Sequence, residues 1–522
     1  MDNMERIKYL ENLIELQSVK LQENASLLKE KDARIIAMHE LINLLILRKF
    51  ASRSEKKTDP SGDVFNEGEC EAEKTAAIDA EETITVQKHT RKVPKRDKLP
   101  TNLPRVIIEH DLPEEQKICA CGCALTFIES EPSEQLDIIP AVVQVLVHMR
   151  KKYACRSCNL TIKTAAMPPQ PIPKSMASPG LLAHILVSKY CDHLPLYRQV
   201  QIFNRCDILL SRGTLSQWVI RCGDLFQPII NLLQEKHLEY DIGCADETTV
   251  QVLNEPNKTA ESKSYMWIFG GGSPECFAWI LQYEPTRSGD VSMAFWEGFK
   301  GHIHTDAYSG YCSMEDKMPF IFLIKCWAHA RRKFAEIAKL ASKRGISHEV
   351  IARIAQLYKI EKKMKEDGCL FEKIKEIRQE KSKPILENLK KYLEEKRPGV
   401  PPQSGLGKAI SYTLNHWAGL IRYLEDGRFE IDNNRTERIA KPFAVGRKNW
   451  LFSYSVNGAH ASANIYSLIE TCKFHGIEPY EYLRHVLTEI QKCTCVEDYE
   501  KLLPYNCKEM FKSPISQAGS KA

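Results

Sequence analysis

The 522-residue sequence predicts a multidomain chain centred on an α/β domain. Three patterns predict it: an unbroken heptad repeat over the first fifty residues, closely spaced cysteines between 119 and 158, and a switch from helical to extended periodicity near Tyr240. A chain this long is not expected to form one core, and roughly three or four units are the prior. Hydrophobic content of 43% and charged content of 27% are those of a globular protein in water. No apolar run approaches the roughly eighteen residues a membrane span requires, and MDNMERIKYLENL is charged from its start, so neither a membrane protein nor a signal peptide is expected. A cytoplasmic location follows, and the 18 Cys then read as free thiols or metal ligands before disulfides. A net charge of +5 is modest, so basic residues matter by where they cluster.

Residues 1–50 are expected to form a coiled coil. Ile7, Ile14, Leu21, Leu28, Ile35 and Ile42 recur every seven residues, with Leu10, Gln17, Asn24, Lys31, Met38 and Leu45 on the companion seam. The polar middle of that second seam trades stability for register or partner number, and a homodimer or higher homo-oligomer is the consequence. Residues 51–100 read as a disordered basic linker: a Glu-, Lys-, Ala- and Ser-rich stretch cannot bury enough apolar surface, and six of the eleven residues from Lys88 to Lys98 are basic. A module over 101–172 follows. Cys155 and Cys158 form a C-x-x-C pair, and Cys119, Cys121 and Cys123 offer a second pair, Cys121 with either neighbour, so four thiolates would close one structural Zn2+ site.

Residues 173–238 read as helices, with Ser211 or Thr214 capping the second and NRCDILLS as the turn of a helix-turn-helix-like, DNA-binding region. From Tyr240, DIGCADETTVQV, SYMWIFGGG and CFAWILQYE read as three strands, then DVSMAFWEGF as a helix and GHIHTD as a fourth strand. Three antiparallel strands, a helix and a strand returning beside the first give a ribonuclease H-like order. This α/β domain is expected over 239–338 and 427–470, split by an α-helical insertion at 339–426 and followed by a helical tail at 471–522.

Three acids stand out in it. Asp246 and Asp306 each close an apolar run and are expected at strand ends, whereas Glu437 lies on a polar helix face in RFEIDNNRTERIAKPFAVGRKNWLF. An oxygen-only set suits Mg2+ or Mn2+, and it can clamp two ions roughly 3.5–4 Å apart on a phosphodiester. Arg331, Arg332, Arg438, Arg447 and Lys448 cluster beside the acids in sequence and are expected to face DNA phosphates.

The sequence resembles bacterial transposases of the insertion-sequence 66 family over nearly its full length. The resemblance is carried in order by ASRSEKK, LPEEQKICACG, RKKYACRSC, PIPKSMASPGLLAHILVSKYCDHLPLYRQ, ADETTVQV, HTDAYSGY, CWAHARRKF, DNNRTERIAKPFAVGRKNWLF and HGIEPYEYLRHVL. It implies a DDE transposase whose acidic triad falls on Asp246, Asp306 and Glu437, the acids already singled out. One departure concerns the first zinc knuckle, where Ile118 takes the place of the family's first Cys. Cys326 and His329 form a Cys-x-x-His that recurs after the second acid in related transposase groups, and a buried thiol beside a core histidine is the alternative reading. The expected activity is cutting an element's ends and joining them to target DNA by two-metal phosphoryl transfer, with accessory element-encoded partners left open. A DNA-binding regulator with an inactive nuclease-like domain, or a nuclease that cuts without joining, is the alternative.

Overall fold

A mixed sheet organises the larger of two units. In the computed structural model the described residues are 143–154, 162–164, 166–339 and 344–511, with Gln17, Ser18, Lys20, Leu21 and Lys31 near the N-terminus, all five helical. One unit comprises residues 52–167, the other residues 1–51 and 168–522. Within the first, β1 (Lys152–Ala154) and β2 (Ile162–Thr164) form an antiparallel hairpin. All five candidate zinc ligands, Cys119, Cys121, Cys123, Cys155 and Cys158, lie outside the described residues, as do the linker and all of the heptad seam but Gln17, Leu21 and Lys31.

In the second unit, β3 (Ile242–Asn254), β4 (Lys263–Gly271) and β5 (Ala278–Glu284) run antiparallel in sequence order. Helix α4 (Gly289–Phe295) then leads to β6 (Gly301–Thr305), which returns parallel to β3 on its other side. Helix α5 (Ser309–Lys317) leads to β7 (Ile321–Lys325), parallel to β6, so the order is β5-β4-β3-β6-β7. A short β8 (Ser453–Ser455) pairs with the far end of β3. The expected strand order is therefore present; β7 falls on IFLIK, which the sequence also reads as a strand leading into a helix, and β8 is added.

Among the described residues from 168 onward, three helices precede the sheet: α1 (Pro179–Tyr190), α2 (Leu196–Asn204) and α3 (Arg212–Leu238). Ser211 caps α3 by accepting the Thr214 N–H at 3.0 Å, resolving the two cap candidates. The sequence reads the segment before that turn as one helix, but it is two: the first stops at Tyr190 and the second opens at Leu196, with Pro195 as its N-cap. Helix α3 buries Leu215, Trp218, Val219, Phe226, Ile229 and Leu233 in the same core as the sheet. Its Gly223 meets α13 (Val456–Phe474) so closely that an added Cβ would sit 2.5 Å from Ala461.

Helix α13 also seals the edge of β5. Leu281 N–H donates to Ser467 Oγ at 2.7 Å and Trp279 N–H to Thr471 Oγ1 at 2.9 Å. Ser467 and Thr471 are one helical turn apart, and residues 279 and 281 are the alternate outward groups of an edge strand, so two hydroxyls replace the missing strand.

After β7, α6 (Trp327–Ala338) leads into a helical layer of α7 (Ile346–Glu366), α8 (Phe371–Ile377), a π-helical turn (Arg378–Ser382), α9 (Lys383–Lys396), α10 (Gly405–Asn415) and α11 (Trp417–Ile421). These close their own core around Ile354, Leu357, Leu389, Leu393 and Ile410, joined by Trp327 and Phe334 of α6. Buried Arg378 binds it to the returning chain: it pairs with Glu361 at 2.7 Å and donates to the carbonyls of Tyr423, Asp426 and Phe429. The chain then enters α12 (Asn434–Trp450) and, after α13, continues through α14 (Pro479–Glu489) and α15 (Val496–Glu500).

Candidate active site

Strand register brings the first two acids together. In the parallel pair β3 and β6, Cys244 lies opposite His304. Two residues further along each chain stand Asp246 and Asp306, so both fall side by side with the same parity. The sequence places each acid at a strand end. Asp306 does follow β6 directly, but Asp246 is the fifth of thirteen residues in β3, which continues against β4 and β8. The physical reason is that β6 stops while β3 does not, so Asp246 stands where its parallel neighbour ends.

Glu437 arrives from 131 positions away through the motif DNNRTE, its position number 437 less 306 for Asp306. Each polar residue there has a place. Asp432 accepts the Tyr358 hydroxyl at 2.9 Å and the Asn434 N–H at 3.1 Å. Buried Asn433 donates its side chain to Ala245 O at 3.0 Å, one residue before Asp246, and its backbone N–H to Cys326 Sγ at 3.2 Å. These bonds pin the first turn of α12 to β3 and to the start of α6, and Glu437 sits in that turn.

The gathered charges act on Asp246. Burial, reinforced by the negative charges of Glu247, Asp306 and Glu437, pushes the Asp246 carboxyl well above the usual carboxylate range. Its Oδ1 accepts the Glu247 N–H at 2.9 Å, which opposes that shift only in part. Around Glu437, Arg332 Nη2 lies 3.5 Å from Oε2 and His329 Nδ1 3.6 Å from Oε1. Burial holds His329 below its ordinary value despite the Glu437 charge, and pushes the Cys326 thiol up to about 12.

A second layer escaped the sequence reading. Glu247, next to Asp246, accepts the Tyr311 hydroxyl at 2.6 Å and pairs with Arg287, whose Nε lies 2.6 Å from Oε1. Arg287 stacks 3.9 Å from the Tyr308 ring, and Tyr308 N–H donates to Asp306 Oδ1 at 2.9 Å. Buried Lys325, at the end of β7, places Nζ 3.5 Å from Asp306 O. Tyr308 and Tyr311 stand in HTDAYSGY, so the signal was a tyrosine pair at i and i+3 after the second acid.

The basic residues divide. Arg331 is partly exposed, and Arg332, Arg438 and Lys448 are exposed, with Arg332 already paired to Glu437. Arg447 instead donates to Thr248 Oγ1 and to Thr249 O and Oγ1, clamping α12 onto β3 two residues past Asp246.

A mixed sheet therefore sets Asp246 and Asp306 side by side and within electrostatic reach of Glu437, which Arg332 approaches: an acidic α/β site. Comparisons with known proteins give its family. The model described as Transposase IS66 family matches residues 174–461, more than half of the chain. The IS66 C-terminal element matches 467–505, a zinc-finger binding domain of transposase IS66 matches 116–159, and Transposase C of IS166 homeodomain matches 37–108. In Sinorhizobium fredii (strain NBRC 101917 / NGR234), uncharacterized protein y4jD is 35% identical over 78% of this chain and 81% of its own length. From the same organism, y4qI is 33% identical over 77% and 75%, and y4hP 30% over 86% and 83%. The chain belongs to the IS66 transposase family, whose domains support a transposase role and contact with DNA. Among the described residues no helix is long and apolar enough to cross a membrane.

Proposed function

We propose that the chain cuts the ends of an insertion element and joins them to target DNA by phosphoryl transfer at Asp246, Asp306 and Glu437. The observation that carries this is the register that sets Asp246 beside Asp306, together with Asn433, which fixes the turn bearing Glu437 against the same strand. The strand order, three antiparallel and then two parallel, supports a ribonuclease H-like domain.

The donors suit Mg2+ or Mn2+, two per site. They are hard oxygens; Asp246 is driven toward neutrality by burial and, after that, by its acidic neighbours, and Glu437 Oε1 is buried without a hydrogen-bond partner. Asp246 and Asp306 would hold the ions jointly, and Glu437 the second. When bound, such ions activate a water or hydroxyl and stabilise the leaving oxygen of a phosphodiester. The protein's part is to hold the carboxylates still through Tyr308, Asn433 and Glu247. Arg331, Arg332, Arg438 and Lys448 take the DNA backbone, while Arg447 acts from behind by fixing α12.

Residues 1–50 pair two copies as a coiled coil, in keeping with the seam residue Leu21, which is 70% exposed in the single chain. One structural Zn2+, held by Cys155, Cys158 and two of Cys119, Cys121 and Cys123, would fold the module at 101–172, the stretch that holds the zinc-finger match. Asp246→Asn, Asp306→Asn and Glu437→Gln should each lower Mg2+-dependent cleavage of element ends about a thousandfold or more while end binding persists. Near wild-type cleavage by any of the three would remove that residue from the site.

A further inference from the structure

Glu437 has a second set of neighbours whose chemistry differs from that of the two aspartates. Cys326 caps α6, His329 stands three residues on, and one ligand atom from each lies within 4.8 Å of the other and of a Glu437 carboxylate oxygen. Two of the facing atoms, Glu437 Oε1 and His329 Nδ1, are buried and make no hydrogen bond. Buried polar atoms left so call for a missing partner. Arg332 approaches the other oxygen, Oε2, and leaves Oε1 to this cluster. The sulfur accepts the Asn433 N–H at 3.2 Å from the N-cap position of α6, three residues before His329 on the same helix.

We propose that Cys326, His329 and Glu437 bind one zinc-class divalent ion, a site separate from the cysteine module. Sulfur, imidazole nitrogen and carboxylate oxygen form the mixed set that Zn2+ accepts, whereas Mg2+ avoids thiolate. Three protein ligands leave a fourth position open. An ion held here engages Glu437 and withdraws it from Asp246 and Asp306, so zinc and magnesium compete for one carboxylate. That inhibitory consequence rests on the triad assignment above; the binding of zinc does not.

Full-length protein equilibrated with excess Zn2+ and freed of unbound metal is analysed for zinc in the wild type and in Cys326→Ser, His329→Gln and Glu437→Gln. Each variant is expected to hold one zinc fewer per chain than the wild type, because the cysteine module contributes equally to all four. Cobalt-loaded wild type should show thiolate-to-cobalt absorption exceeding that of Cys326→Ser and His329→Gln. Thermal melts identify any variant that fails to fold, and if one does, the other carries the comparison. Equal zinc content and equal cobalt spectra in the wild type and the folded variants overturn the proposal. Glu437→Gln separates the two readings. Loss of cleavage with wild-type zinc content leaves the triad standing and removes the zinc site. Loss of one zinc with cleavage in Mg2+ intact keeps the zinc site and removes Glu437 from the triad.

Discussion

Asp246 draws its properties from its immediate neighbours. Burial first, and then the charges of Glu247, Asp306 and Glu437, hold it toward the neutral form, and Glu247 is the neighbour with the largest influence. Glu247 is itself pushed up by burial, which Tyr311 and Arg287 counter. Tyr311→Phe removes the hydroxyl that Glu247 accepts at 2.6 Å and leaves a buried carboxylate with only Arg287. Outer partners of this kind typically matter by about ten- to a hundredfold, so end cleavage should fall by that order with DNA affinity unchanged. Cleavage kinetics beside a binding titration check it; a fall in affinity alone would place Tyr311 outside the site.

At the scale of elements, two contacts set how firmly the site is held. Arg378 joins the helical layer to the segment that delivers α12, through Glu361 and three carbonyls, and is only 3% exposed. Arg378→Ala leaves Glu361 and those carbonyls without their donor, a change that costs about 3–5 kcal/mol, and chemical denaturation should show it. On the other side of the sheet order, the C-terminal end of α3 places His237 Nε2 3.0 Å from Ala278 O and stacks the ring on Trp296. Burial pushes this imidazole down to about 3 from its ordinary 6.5. Between those values the unfolded chain binds the proton and the folded one does not, so the stability His237 provides is present above pH 6.5 and lost as pH falls toward 3. His237→Gln should flatten the fall in melting temperature across pH 6.5 to 4. A variant as acid-sensitive as the wild type would show that other groups control that range.

For the whole molecule, the proposed reaction acts on two element ends together, and a paired protein would present paired sites. Deleting residues 1–50 should abolish paired-end complexes and preserve single-end binding, as read by gel mobility on one-end and two-end substrates. A truncated protein that still pairs both ends would place dimerisation in the catalytic region. The Asn24 and Lys31 positions of the weaker seam should keep the oligomer number low.

The sequence by itself determined the strand order, the two aspartates after apolar runs, the glutamate on a helix and the helical layer that parts it from them. Local rules suffice for these: alternation of period 2, the helical period of about 3.6, and polar punctuation at element ends. Only the tertiary structure decided the rest. That Asp246 stands in mid-strand follows from where β6 stops, which β3's own residues do not encode. That Arg447 clamps α12 onto Thr248 and Thr249, and that Asn433 ties Glu437's turn to Ala245, follows from elements nearly two hundred residues apart meeting. The pairing of Glu247 with Tyr311 and Arg287, and the meeting of Cys326 and His329 with Glu437, are likewise products of chain return. Sequence spacing fixes which face a side chain takes within its own element; the partner across the gap is chosen by packing, because burial and hydrogen bonding are satisfied by whatever group the fold brings near.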